Sequence, residues 1–159
     1  TMNPGRPELP AASRSQLGYV FWYLGGPIAA VSRRQHSIAV DTPASELFAA
    51  SVAGAVAISI AGVIRFITFG VLGAGPMKLW CDNEVCVLVS QDATSVKRLA
   101  YVARRARFMR ELRYFDVVHM AHVPGTANPA DVLTKHLDDR QKFRAYLARI
   151  YNTTEASFL

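Results

Sequence analysis

Cysteine is scarce in this sequence, which contains Cys81 and Cys86 and no others. Two cysteines five positions apart provide no disulfide framework, so we interpret them as buried free thiols rather than as a bridge or half of a metal site. The pair favours a reducing, intracellular compartment. An organelle and a membrane-associated complex both stay open as locations within the cell.

Acidic residues are nearly missing from residues 95–113, which hold one glutamate against seven bases. Those bases are Lys97, Arg98, Arg104, Arg105, Arg107, Arg110 and Arg113. Removing this segment from the 18 basic and 12 acidic residues of the chain leaves 11 of each, so it carries the whole net charge of +6. Apolar residues recur at three- and four-residue spacing from Leu99 to Met109, which predicts an amphipathic helix over residues 95–114. A solvated helix face is the simple interpretation, but so many cations favour contact between these bases and nucleic acid.

Charged residues are absent from residues 47–64, an alanine-rich run of 18 residues. Thr42 is suited to cap a helix and Pro43 to begin it, so we predict a helix from Pro43 through this run. Its length is at the lower limit for crossing a bilayer, and a helix buried on most of its faces is the alternative. An apolar helix needs cover on its outer side as well, which favours contact with a partner protein or a membrane. The predicted contact residues are Leu47, Val52, Val56, Ile60, Val63 and Phe66.

Proline is concentrated at the start of the sequence, at positions 4, 7 and 10. It is incompatible with a helix interior or a central strand, so residues 1–14 are predicted to form an extended arm. A length of 159 residues with 51% hydrophobic content is enough for one domain with a core of its own. We place that domain at residues 15–151 and a short tail at residues 152–159.

Strand-like and helix-like segments alternate through the predicted domain. Residues 18–24 and 28–32 are largely apolar and flank two glycines, which predicts a β-hairpin. The apolar residues 79–81 predict a buried strand that ends at Cys81, so Asp82 stands at its carboxyl end, where α/β sheets place their ligands. The remaining predicted elements are a short helix before residue 91, a strand over residues 115–123, a helix beginning at Asn128 and a helix over residues 138–151. The pattern predicts an α/β fold.

Several short motifs follow one another in a specific order. They are Gly18-Tyr-Val-Phe21, Gly25-Gly-Pro-Ile28, Leu79-Trp-Cys-Asp-Asn83, Val123-Pro-Gly125 and Asn128-Pro-Ala-Asp-Val-Leu-Thr-Lys135. Together, over residues 14–150, they resemble the ribonuclease H domain at the end of the polyprotein of copia-type retrotransposons. The resemblance implies a ribonuclease H-like fold, in which helices flank a mixed sheet. It also implies an enzyme that uses Mg²⁺ or Mn²⁺ to cut the RNA strand of RNA–DNA hybrids. It also implies that Glu46, Asp82 and Asp131 are the catalytic and metal-binding residues, and that the nucleic-acid partner is a hybrid or a structured RNA.

The sequence departs from that family at its first strand, which carries a catalytic aspartate upstream of Gly18. The proline-rich arm occupies this place, and the nearest equivalent position is Asn3, whose amide cannot replace a carboxylate between cations. The first, central strand is therefore expected to be missing. We predict a degenerate, non-catalytic domain without a bound metal, which acts as a structural or nucleic-acid-binding subunit of a larger assembly. Its protein partner would cover the helix of residues 47–72 and supply a strand; an active metal-dependent ribonuclease H is the alternative.

Overall fold

The computed structural model of the chain describes residues 15–36, 41–72, 75–92, 102–135 and 139–152. It begins with two antiparallel strands, β1 (Gln16–Tyr23) and β2 (Gly26–Arg34). The turn between them places Leu24 and Gly25 at positive φ, 51° and 83°, as the tightest hairpin turns require. The predicted hairpin is thus confirmed. The predicted arm lies outside the described residues, as does the tail beyond residue 152.

Helix α1 (Thr42–Ile67) follows the hairpin and is the longest described element. Its cap is Asp41 rather than the predicted Thr42, because Asp41 has extended backbone angles and its carboxylate accepts the Ala44 N–H at 2.8 Å. Residues from Ala44 to Ala57 supply most of the buried positions of the helix. Its last turns are exposed, so the interpretation of a helix buried on most of its faces is wrong beyond residue 57, except at Ile64.

By length and composition alone, α1 qualifies as a candidate membrane span. However, its first turns pack within the chain as far as Ala57, and residues 58–67 are largely exposed apart from Ile64. That exposed part measures about 15 Å, at roughly 1.5 Å per residue, whereas the hydrocarbon core of a bilayer is about 30 Å thick. The packing therefore argues against a spanning helix. Contact of the exposed end with a membrane or a protein stays a prediction.

The middle of the chain forms a parallel strand pair with helices between its members. Strand β3 (Met77–Cys81) pairs with β4 (Val118–His122), and Cys81 lies opposite His122. The intervening helices are α2 (Glu84–Ser90) and α3 (Ala103–Tyr114), and the start of the predicted basic helix, residues 95–101, lies outside the described residues. Both cysteines are free and buried, as predicted. Trp80 is 56% exposed, so β3 is not the fully buried strand that its sequence indicates.

The described chain ends with short helical turns and a final helix. The 3-10 helices are Gly125–Ala127 and Pro129–Leu133, and the second is capped by Asn128, whose side chain accepts the Ala130 N–H at 3.1 Å. Asn128 is therefore a cap, as predicted, although the helix that it begins is shorter than expected. Helix α4 (Arg140–Tyr151) returns to the hairpin, where the indole N–H of Trp22 donates to the Ile150 carbonyl at 2.7 Å.

These elements confirm an α/β fold, but the described strands form two two-stranded sheets, β1–β2 and β3–β4, rather than one mixed sheet. Helix α1 packs against β1 and β3 and also against α3. Gly54 permits the close approach of the two helices, since a Cβ there would lie 2.9 Å from Leu112 Cδ1. The core thus lies around the first half of α1, and the carboxyl end of β3 lies beside it.

Candidate functional site

Two of the predicted catalytic carboxylates meet where β3 ends. Asp82 directly follows the last residue of β3, and Glu46 lies in the first turns of α1. Carboxylate oxygens of both residues and the Sγ of Cys81 all lie within 4.8 Å of one another. The short apolar strand thus delivers Asp82 to the side of the helix that carries Glu46.

Asp131 joins the same site from the 3-10 helix Pro129–Leu133. Glu46, Asp82 and Asp131 line a small cavity of about 50 Å³, together with Lys135. The Lys135 Nζ donates to Asp131 Oδ2 at 2.7 Å. All three carboxylates that the resemblance implies are therefore brought together, although they come from distant parts of the chain.

The clustering of Glu46, Asp82 and Asp131 in this cavity disfavours the ionisation of all three carboxyl groups at once. The pKa of Glu46 is raised from 4.5 to about 7, chiefly by burial and then by the neighbouring Asp82 carboxylate, while Lys135 lowers it and Asp131 raises it to smaller extents. The hydrogen bond to Asp131 raises the pKa of Lys135. One lysine thus faces three clustered carboxyl groups, and a divalent cation would relieve the repulsion among them.

The donor set suits a hard divalent cation. Carboxylate oxygens are the preferred ligands of Mg²⁺ and Mn²⁺. Cys81, which the sequence did not indicate as part of the site, contributes a softer sulfur; its pKa is lowered by a hydrogen bond with the Cys86 thiol. Adjacency to Asp82 was the one signal that pointed to it. The residues present therefore fit Mg²⁺ or Mn²⁺ on Glu46 and Asp82, and Asp131 lines the same cavity but lies outside the group of ligand atoms within 4.8 Å of one another.

The arginines predicted to contact nucleic acid divide into two groups. Arg104, Arg107 and Arg113 are exposed on α3. Arg107 pairs with Glu111 at 3.0 Å, with both side chains in solvent. An exposed pair of this kind is weak enough to exchange for a phosphate. Lys97 and Arg98 lie outside the described residues.

Arg105 and Arg110 instead serve contacts within the chain, in contrast to their predicted role. The Arg105 guanidinium lies 3.6 Å from the centre of the Phe48 ring and donates to Ser51 Oγ at 2.7 Å. Arg110 donates to the Val89 carbonyl at 2.8 Å and pairs with Asp92. Both point towards α1 or α2, because α3 packs its inner face on those helices.

The predicted partner-contact residues on α1 also divide. Leu47 is fully buried in the chain's own core, so its assignment to a contact surface is wrong. It lies on the face of α1 that packs inward, among the first buried turns. Val52, Val56 and Ile60 are half-buried, and Val63 and Phe66 are 59% and 82% exposed.

No protein-family profile matches the sequence, and no solved structure matches it. A comparison with curated proteins finds the retrovirus-related Pol polyprotein from transposon TNT 1-94 of Nicotiana tabacum, with 28% identity over 130 residues. The chain is similar to part of a retrotransposon polyprotein. The match covers 82% of the chain and 10% of that polyprotein, so the chain spans about a tenth of the relative's length. At this level the predicted resemblance is confirmed.

Replacing Gly18 by alanine is expected to displace Asp131 from the site. A Cβ on Gly18 would lie 2.7 Å from Leu133 Cβ and 2.8 Å from Thr134 Cγ2, so the 3-10 helix would have to move off β1. We expect a loss of about 1–3 kcal/mol in the free energy of unfolding, measured by urea denaturation. Gly62→Ala is the control, because a Cβ there meets nothing within 4 Å and should stabilise α1 slightly. Equal effects of the two substitutions would contradict this account.

Proposed function

We propose that the chain is a ribonuclease H-like domain that binds a divalent cation through Glu46, Asp82 and Asp131, and that by itself it does not cleave nucleic acid. It acts as a structural or nucleic-acid-binding subunit of a larger assembly. The observation that carries the proposal is the meeting of three carboxylates at one cavity. The order of the sequence motifs and the similarity to a retrotransposon polyprotein support it.

The site is suited to phosphodiester chemistry but is incomplete. A divalent cation bound there would activate water and stabilise the leaving oxygen of a phosphodiester. Lys135 holds the Asp131 carboxylate in place through a hydrogen bond. Burial favours the protonated form of Glu46, and a bound cation would favour its ionised form. Among the described residues that line the cavity, no fourth carboxylate accompanies these three. Two closely spaced cations would therefore share only three carboxylate groups from the described lining of this cavity.

Nucleic-acid binding is supported by the charge on α3. Arg104 and Arg113 are exposed there, and Arg107 is tied only to Glu111 at the surface. Exposed guanidinium groups bind phosphates without base specificity and with a strong dependence on salt. The proposal therefore assigns a hybrid or a structured RNA to this face.

Mn²⁺ binding tests the metal site directly. We expect Asp82→Asn to lower the affinity for Mn²⁺, followed by electron paramagnetic resonance of the free ion, by more than about tenfold, because changes even to outer-shell partners of metal ligands cost ~10–100-fold. Glu111→Gln is the matched control, since this residue is exposed on α3 and absent from the cavity lining. An unchanged Mn²⁺ affinity in Asp82→Asn would refute the site.

An active ribonuclease H is the second candidate, and the same three carboxylates favour it. A labelled RNA–DNA hybrid incubated with the purified chain and Mg²⁺ separates the two candidates. The main proposal expects no cleavage above that of Asp82→Asn. Cleavage by the wild-type chain that disappears in Asp82→Asn would establish the second candidate instead.

A further inference from the structure

A cavity of about 640 Å³ lies between the two sheets and is here called the slot. Five consecutive residues of β1, 18–22, line it, and so do the five residues of β3, 77–81. Helix α1 contributes the small side chains of Ala49, Ala50, Ala53 and Ala57. The slot is therefore as long as a short strand. On the side of α1, the four alanines line it with methyl groups.

Two strand edges face the slot. Across the described ranges, β1 pairs with β2 alone and β3 pairs with β4 alone. The lining includes no residue of β2 and only Val118 of β4, so β1 and β3 are the strands nearest to it. Each presents its second edge of backbone N–H and C=O groups, and such edges are templates for the addition of a strand.

The two flanking strands run in opposite directions. Residues 16–18, at the beginning of β1, line the site cavity together with Asp82, which follows the end of β3. A strand inserted between them would be parallel to one neighbour and antiparallel to the other. It would join the two small sheets into one mixed sheet of five strands.

The arm of this chain cannot supply that strand. Every window of five residues within residues 1–14 contains proline at position 4, 7 or 10. Proline has no N–H to donate, and a strand that pairs on both edges uses its N–H groups on both sides. Residues 1–14 are therefore excluded as the source of that strand.

We propose that the slot binds an extended, proline-free strand of a different protein, about five residues long at ~3.3 Å per residue. Alternate side chains of that strand are apolar and cover the alanines of α1. Lys78, exposed in the slot lining, favours an acidic residue on the opposite, outward face of the strand. The inference deepens the proposed function by naming the kind of partner, yet it requires no metal.

An eight-residue peptide that alternates valine with threonine and glutamate tests the proposal in metal-free buffer. The two tryptophans of the chain, Trp22 and Trp80, both line the slot, so their fluorescence reports its occupation. Hydrogen exchange supplies the decisive measurement, because amides of residues 18–22 and 77–81 should exchange at least about tenfold more slowly with peptide bound. The matched control is the same peptide with proline at its third and fifth positions.

If the free peptide binds with low affinity, it can be fused to the chain. The same sequence joined to Thr1 through a flexible glycine–serine linker reaches an effective concentration of about millimolar. The fusion is expected to slow exchange in both strands and to raise the urea midpoint above that of the proline-containing fusion. Equal behaviour of the two fusions would overturn the proposal. So would a free chain in which both edges are already protected, because the occupant would then be a segment of the chain itself or of a second copy.

Discussion

Leu47→Ala is expected to lower the free energy of unfolding by about 2–5 kcal/mol, the usual cost of truncating a fully buried leucine. Leu47 has no exposed surface and packs in the core cluster that joins α1 to α3 and to the strands β3 and β4. Truncation would leave a cavity on the inner face of α1, next to the turn that carries Glu46. Urea denaturation followed by circular dichroism measures the loss.

Phe66→Ala is the matched control for that experiment. Both residues belong to the same apolar run, but Phe66 is 82% exposed, so its truncation should change the stability of the isolated chain by less than about 0.5 kcal/mol. If the two variants lost similar stability, Leu47 would not be the core residue described above. A partner protein that covers the end of α1 would be sensitive to Phe66→Ala and much less so to a change at Leu47 that preserves folding.

Raising the pH from 4.5 to 7.5 in metal-free buffer is expected to cost about 3 kcal/mol of stability through Glu46 alone. The pKa of Glu46 is raised from 4.5 to about 7, chiefly by burial and then by Asp82. Below pH 4.5 the carboxyl group is protonated in the folded and unfolded states alike, so its contribution is fully present. As the pH rises towards 7, the unfolded chain releases this proton first, and the contribution is lost.

Glu46→Gln isolates this effect, because glutamine keeps the shape of the side chain without its titration. Urea midpoints at pH 5 and pH 7.5, with EDTA present, give the pH dependence of each protein. The wild-type chain should lose more stability than the variant over this interval, and saturating Mn²⁺ should remove most of the difference. Parallel pH profiles would show that Glu46 titrates normally in the folded chain.

The sequence predicted the carboxylate positions because local patterns determine them. An apolar run that ends in Asp82 indicates a strand with a carboxylate at its end, and the Asn128 cap with Pro129 places Asp131 in the first turn of a helix. The resemblance then assigned Glu46 to the same site. All three carboxylates line one cavity in the structure, while their roles in binding a metal and in catalysis stay predictions.

The burial of individual side chains depended on which face of each helix packs inward, and local sequence patterns do not determine this. Arg105 belongs to the basic run by composition, yet its guanidinium covers Phe48 because α3 packs against α1 at that point. Leu47 belongs to the uncharged run, yet it lies on the inner face. An apolar run of uniform composition has no polar face to indicate its orientation, so the buried and exposed halves of α1 could not be told apart beforehand.

Glu46, Asp82 and Asp131 are far apart along the chain, so a site formed by all three exists only when the chain is folded. An unfolded chain would have to close two long loops to bring these residues together, and the entropy of closure opposes this. A cation held by all three would bind the folded chain far more tightly than the unfolded one. At a concentration of 100 times its dissociation constant, such an ion adds about 2.7 kcal/mol to the stability of the fold. Removal of the ion would lower the stability of the fold by the same amount.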